Sequence, residues 1–373
     1  MVGASAIAGD LRQMQPAKLT RVYLDSYLNV RKEYQKMSLL VGMMVMAMTA
    51  APVEKPISFI GAGEFELFGT LTMPANATGH LVPGVVLLPG SGPTDRDGNQ
   101  APLVVTDLLK QIATTLAEAG IASVRFDKRA TPLYYAKWPK DRDKWAEFFK
   151  WENFVDDATD AYRYLCAHQG IDGHRVAILG HSEGAEIALQ IGRNLAKDPT
   201  PPAALVTLGG AGRKMGPILR EQIVLRLDQS KMLAPTKRKY MDYLDKAISQ
   251  VIQDASFPPD PPAGFESLFN ASTSKLMQSY CTIDPAQLAK RYAGPVLLIN
   301  GGQDQQISPE RDTPLLKAAL ESRSKGTVET LIVPDASHNL KSTAGGNKDQ
   351  MTGPVAPLAL SKIQQFLVKE LRP

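Results

Sequence analysis

The chain is poor in the residues that bind metals and form cross-links. Its 373 residues include two cysteines, Cys166 and Cys281, and five histidines. The cysteines make no C-x-x-C, so neither a zinc ribbon nor a dithiol redox motif is encoded. A disulfide between them has no support in the sequence. Cys166 lies in the helical pattern "DATDAYRYLCAH" and reads as a small buried apolar residue. HExxH and a Walker-type GK[ST] are absent, which removes the zinc-peptidase and P-loop readings. Charge of one sign is also scarce. The net charge is +4, with seven Lys/Arg and four Asp/Glu through residue 56, and the rest is close to neutral. No basic stripe suits nucleic acid. No apolar run reaches the roughly 20 residues of a membrane span, and there is no internal repeat or low-complexity tract.

What is present is a globular balance, 44% hydrophobic and 21% charged, on enough chain for a large core. The amino terminus stands apart. Arg31, Lys32 and Lys36 precede "MSLLVGMMVMAMTAAP" (37–52), an apolar run of about 14 residues with a small-residue exit at Ala50-Ala51. This reads as a signal peptide over 37–51 behind an extension over 1–36. The expectation is then a periplasmic or secreted protein beginning near Pro52. The alternative is a retained apolar helix on a cytoplasmic protein.

From about residue 56 the pattern is regular. "ISFIG" and "FELFGTLTMP" predict two strands joined by Gly61-Ala-Gly63, as an antiparallel hairpin. "GVVLLPG" (84–90) is a continuous apolar run, the mark of a strand buried on both faces. A helical spacing follows over 103–120, a strand over 122–127, a helix over 153–168, a strand over 175–180 and a helix over 183–196. Further strands are predicted at 203–210, 295–301 and 327–334, with helices near 309–322 and 355–370. Strands alternating with helices imply an α/β fold, a mostly parallel sheet with helices on both faces. The core spans 56–211 and 294–373. The rhythm breaks over 212–293, a stretch too long for a plain loop, and predicts a helical cap over the carboxyl ends of the strands.

Open parallel sheets bind ligands beyond those ends. Three residues fall there. Ser182 lies in "LGHSEG" (179–184), a G-x-S-x-G at a strand-to-helix junction, where small neighbours permit a turn sharp enough to expose a nucleophile. Such a serine can equally be a plain helix N-cap. A serine hydroxyl needs a base. His80, His168 and His174 fall at the opposite end of the strands, and His181 belongs to the turn itself. His338, in "VPDASHNL" after the last strand, is the one well placed. Asp304, in "LLINGGQDQQISP" just past the 295–301 strand, can orient it; Asp335 is a rival. An oxyanion needs backbone donors. The N–H of Glu183 follows the nucleophile. The second donor comes from "LLPGSGPTDRDGN" (87–99), assigned to Ser91 with Gly92 as runner-up.

With these residues in place, the chain from about 56 to the end resembles the α/β-hydrolase family of serine esterases. It is most similar to a bacterial group carrying a "GSGPTDRDGN"-type loop, a "GHSEG" elbow and a "PVLLINGGQD" strand. "CTIDPAQLAKRYAGPVLLINGGQDQQISP" (281–309) resembles the stretch where the cap of that group rejoins its core. The resemblance covers roughly 85% of the chain and implies hydrolysis of carboxylic esters with no cofactor and no metal. Where the group continues from "RFDKR" (125–129) with a glycine-rich turn, this chain has a longer aromatic stretch. Tyr134, Tyr135, Trp138 and Trp145 there either line the substrate mouth or pack against the cap.

The expected reaction is attack by Ser182 on a small to medium acyl ester, with His338 as base and Asp304 behind it. The expected partner is a small-molecule ester, with no nucleic acid and no stable membrane span; the oligomeric state is open. The cap is expected to supply an apolar acyl pocket. Asp95, Arg96, Asp97, Asp127 and Arg129 either form structural ion pairs or touch substrate. A peptidase or acyl thioesterase using the same triad is the nearest rival. A non-catalytic binding protein on the same fold is another. "GGAGRKMG" (209–216) raises a nucleotide-binding loop, though its spacing does not fit G-x-G-x-x-G.

Overall fold

The computed structural model describes residues 51–77 and 79–373. The expectations for residues 1–50, including all but the last residue of the signal segment, lie outside the described residues. Among the described residues no helix is long and apolar enough to cross a membrane.

Eight strands form one sheet: β1 (Val53–Gly61), β2 (Phe65–Met73), β3 (Val82–Leu88), β4 (Ala122–Phe126), β5 (Ile171–His181), β6 (Leu205–Leu208), β7 (Val296–Gly301) and β8 (Val328–Val333). Their order is β1-β2-β4-β3-β5-β6-β7-β8. β1 and β2 pair antiparallel, as the two runs around Gly61–Gly63 predict, and β2 pairs antiparallel with β4. All other pairs are parallel. β3 is the continuous apolar run; Val85, Val86 and Leu87 are fully buried because helices cover both faces.

The helices are α1 (Leu108–Glu118), α2 (Trp145–Phe148), α3 (Trp151–Ala167), α4 (Glu183–Asn194), α5 (Met215–Gln229), α6 (Ala234–Asp254), α7 (Ser274–Thr282), α8 (Pro285–Ala289), α9 (Thr313–Glu321) and α10 (Pro357–Glu370). On one face the core gathers Leu109, Ile112, Leu116, Ile363 and Phe366 against β3, β5, β6 and β7. On the other it gathers Phe154, Tyr162, Leu165, Ile187 and Ile191. α1 starts five residues later than its periodicity suggests. Asn99 explains this: its Oδ1 accepts the N–H groups of Thr106 (2.7 Å) and Asp107 (2.8 Å), turning the preceding segment into a loop.

Between β6 and β7 the chain leaves the sheet and builds α5 to α8. Their mutual packing centres on Tyr243, Phe257, Phe265 and Phe269, with ring centroids 5.3–5.8 Å apart between Phe269 and the other three. Arg213 sits where the insertion begins. Its Nη2 lies 2.7 Å from the fully buried Asp312 and its Nη1 2.6 Å from Glu221 of α5. Gln222 of α5 donates to the Gln306 carbonyl at 2.9 Å. These bonds tie α5 to the loop after β7, at the carboxyl ends of the strands.

The stretch after "RFDKR" makes short turns that pack on one another, on β2 and on the insertion, where Glu147 of α2 pairs with Lys275 of α7. Trp138 meets Trp145 and Phe149 edge to face at 5.5 and 4.9 Å. Tyr134 is buried between Phe65 and Phe68, whereas Tyr135 is exposed. Both cysteines are free thiols, and burial pushes each up to about 11.

Candidate active site

Ser182 joins β5 to α4 with φ 53° and ψ −120°, a conformation a side-chain-bearing residue adopts only when its surroundings impose it. The imposing geometry is visible in its two glycine neighbours. A Cβ on Gly180 would come within 1.9 Å of the Gly184 carbonyl oxygen, and one on Gly184 within 2.5 Å of the Leu88 oxygen. The start of α4 lies so close to β5 on one side and to the end of β3 on the other that side chains at both positions are excluded. The Ser182 N–H donates to the Leu208 carbonyl at 2.8 Å, and its own carbonyl accepts from Ala185 at 2.8 Å. Its hydroxyl makes no capping bond to α4. The turn is therefore held by the backbone, and the side chain is not committed to an N-cap.

His338 and Asp304 meet behind it. The His338 Nδ1 lies 2.7 Å from Asp304 Oδ2, with both side chains buried. Asp304 Oδ1 accepts the N–H groups of Gln306 (2.7 Å) and Ile307 (2.9 Å), which fixes the carboxylate in place. An acceptor at Nδ1 selects the tautomer whose Nε2 carries the free lone pair. Asp335, the rival acid, is exposed, and its backbone carbonyl accepts from Thr343. His181 lies under His338, with ring centroids 4.8 Å apart. Burial, and then the neighbouring His338, push its imidazole down to about 3. It is therefore neutral, and its Nε2 donates to the His338 carbonyl at 3.1 Å, bracing the backbone of that loop.

Ser182 and His338 line one cavity of about 280 Å³ with Ser91, Gln100, Gln306 and Arg226. Most of its lining is polar. The apolar pocket expected from the cap is not formed there, because α5 presents Arg226 to the cavity while its Ile223 and Leu227 turn into the core. Arg226 makes no ion pair or hydrogen bond among the described residues. A larger groove of about 800 Å³ shares Gln306 and runs along α5 past Arg220, Leu225 and Arg311.

Ser91 and Glu183 both border the nucleophile. Glu183 opens α4, so its N–H is one of the helix's free donors. The Glu183 side chain turns away into the interior, pairs with Lys128 and accepts from the Tyr280 hydroxyl. Neither Lys128 nor Tyr280 belongs to a motif that announces this pairing. The available signal was Lys128's place two residues beyond β4, at the end of the sheet where sites form. Gly209, in the stretch that raised a nucleotide loop, has another role: at φ 58° a Cβ would lie 3.0 Å from the His338 ring. The glycine makes room for the imidazole.

The remaining charged candidates are structural. Arg96 pairs with Asp127 and donates to the Gly69 carbonyl at 2.6 Å. Arg125 binds Asp97 at 3.0 Å and Glu54 at 2.9 Å. Asp95 accepts the backbone N–H groups of Asp97 and Asn99. Arg129 binds Asp157. Among the described residues no three His, Cys, Asp or Glu side chains gather as a metal site.

A mostly parallel eight-stranded sheet, with a serine turn, a histidine and an aspartate all at its carboxyl end, defines an α/β hydrolase architecture. The model of the alpha/beta hydrolase family matches residues 85–342, and the chain belongs to that family. Esterase EstD of Thermotoga maritima is 27% identical over 304 residues, covering 81% of this chain. The chain spans 65% of that relative's length. Among solved structures, Est1E from Butyrivibrio proteoclasticus superposes with a TM-score of 0.53 at 15% identity, over 86% of this chain and 99% of that one. The acylaminoacyl peptidase of Pyrococcus horikoshii gives 0.53 at 16% identity, over 88% and 43%. These structural likenesses speak for the fold alone.

Proposed function

We propose that the protein is a carboxylesterase-type serine hydrolase acting on esters of small to medium acyl chain through an acyl-enzyme. Ser182 attacks the ester carbonyl carbon. His338 Nε2 takes the hydroxyl proton and returns it to the departing alkoxide. Asp304 holds the imidazole and stabilises its cation. The N–H groups of Ser91 and Glu183 receive the oxyanion of the tetrahedral intermediate. Water, activated by the same imidazole, then releases the acid.

The observation that carries this reading is the strained Ser182 turn, its hydroxyl free of the helix cap, sharing a cavity with a His338 whose Nδ1 is held by Asp304 at 2.7 Å. The resemblance to Esterase EstD supports the same reaction class. The cavity volume of about 280 Å³ supports a short acyl chain rather than a long lipid.

The test is hydrolysis of p-nitrophenyl esters from acetate to palmitate by wild type and Ser182→Ala. The expected result is activity greatest at short chains and lost in the variant. Equal activity in both proteins, or none on any ester, would overturn the reading.

A further inference from the structure

Lys128 is a buried cation beside the nucleophile that ester hydrolysis itself does not use. Lys128 is 4% exposed and stands two residues past the end of β4. Burying an ammonium group is costly, and an apolar pair of the same shape would serve a scaffold as well or better. Its three contacts are specific. Its Nζ pairs with the Glu183 carboxylate, donates to the Gly90 carbonyl at 3.2 Å, and lies over the Phe154 ring at 4.8 Å.

Both polar contacts lead to proposed oxyanion donors. The Gly90 carbonyl and the Ser91 N–H belong to the same peptide plane. Ala101–Pro102 is the one cis bond among the described residues, so the Gly90–Ser91 peptide is trans, and its N–H points opposite to its C=O. Holding the oxygen on Lys128 therefore aims the N–H the other way. That plane lies against the nucleophile: a Cβ on Gly90 would stand 3.3 Å from the Ser182 Cβ and 3.2 Å from His181 Nδ1. The other contact reaches the residue that supplies the second donor. Tyr280, from α7 of the insertion, closes the arrangement by donating to the second Glu183 oxygen.

We propose that Lys128 is a positioning residue of the oxyanion site, one ammonium that sets the Gly90–Ser91 peptide and the start of α4 so that their N–H groups converge. The proposal rests on the ester-hydrolysis reading. Its role is exerted through those two backbone groups, and a cation on a peptide oxygen also polarises the N–H of the same unit.

The test compares wild type, Ser182→Ala, Tyr280→Phe and the double variant Lys128→Met/Glu183→Gln. The double variant removes both buried charges together, so neither is left unpaired. Each is assayed for kcat and KM on p-nitrophenyl butyrate, for inhibition by an alkyl trifluoromethyl ketone, and for fold by near-ultraviolet circular dichroism. Loss of a full oxyanion donor costs about 10²–10³ in kcat, so loss of its aim is expected to cost about 10–100-fold. KM should stay within about twofold, and the ketone should weaken by the same factor as kcat. Tyr280→Phe, which leaves both Lys128 contacts intact, should lose less kcat than the double variant, and an equal or larger loss would overturn the assignment to Lys128. An unchanged kcat in the folded double variant would overturn the proposal. So would a loss that falls on KM, or one that merely tracks the unfolded fraction. Full activity in Ser182→Ala would remove the hydrolysis reading and the proposal with it.

Discussion

Lys128 and Arg129 are consecutive, both buried at the end of β4, and both paired with a carboxylate on a helix. They do different work because they face different neighbours. Lys128 turns toward Ser182 and the loop after β3. Arg129 turns toward the β1–β2 turn, where its guanidinium donates to the Ala62 carbonyl at 3.0 Å while Asp157 accepts the Ala62 N–H at 2.9 Å. The Arg129–Asp157 pair fastens α3 to the edge hairpin and touches nothing in the Ser182 cavity. Burial and an ion pair thus do not by themselves mark a functional residue; the backbone groups that the pair holds decide the matter.

The largest effects should come from the proposed nucleophile and base, against which both cations are measured. Ser182→Ala and His338→Ala are each expected to reduce kcat on p-nitrophenyl butyrate by about 10⁴-fold or more, because the set acts as a unit. Folding should remain intact by circular dichroism. Near-normal turnover in His338→Ala would remove it as the base.

Arg129→Met separates the two cations on the stability axis. It leaves Asp157 buried and unpaired, at an expected cost of about 3–5 kcal/mol in urea unfolding. At temperatures where the variant is folded, kcat should match wild type. A specific fall in kcat would erase the contrast with Lys128, whose replacement is expected to act on kcat.

Glu186 offers a third, smaller comparison within α4, one turn from Glu183. It is buried but lacks a lysine, and burial, then Glu183 and Asp312, push its carboxyl up to about 8 from an ordinary 4.5. The folded value lies above the unfolded one, so stability is fully present below pH 4.5 and lost as pH rises through 8. Glu186→Gln should therefore be close to wild type at pH 4 and more stable at pH 8, by about 4 kcal/mol. Denaturant midpoints at the two pH values check this. A difference independent of pH would contradict it.

The smallest effect concerns Arg226, a charge of the opposite kind: exposed and on the rim of the cavity. Arg226→Gln should leave kcat on a neutral butyrate ester within about threefold, as expected of a screened surface charge. It should raise KM severalfold for monoethyl succinate, followed by acid release at constant pH. Equal KM changes for both esters would show that the guanidinium does not meet the acyl group.

Much of the site was legible because its chemistry is local in the chain. Two glycines flanking a serine at a strand-to-helix junction already state that the backbone passes too close for side chains, and the contacts at Gly180 and Gly184 are that statement in space. Asp304 and His338 could be singled out because each follows a strand in a parallel sheet, where side chains past the strand end face the crevice. The long-range partners were not legible. Nothing near Lys128 in "RFDKR" names Glu183 or Gly90, and nothing near Tyr280 names Glu183. The aromatic stretch around Trp138 is equally ambiguous in the sequence, because its partners include residues of the insertion more than 100 positions away.

The amino-acid sequence by itself determined the order and kind of the elements, the sharp turn at Ser182, and the strand ends from which Asp304 and His338 project. Hydrophobic periodicity and glycine placement act over a few residues, within the reach of a linear reading. Tertiary structure alone decided which buried charges meet, that Asp304 rather than Asp335 holds His338, and that Gly209 yields space to an imidazole. It also decided that the cavity beside Ser182 is polar. Those outcomes depend on side chains brought together across the sheet from distant parts of the chain, and their energies turn on distances and burial that exist only once the core has packed.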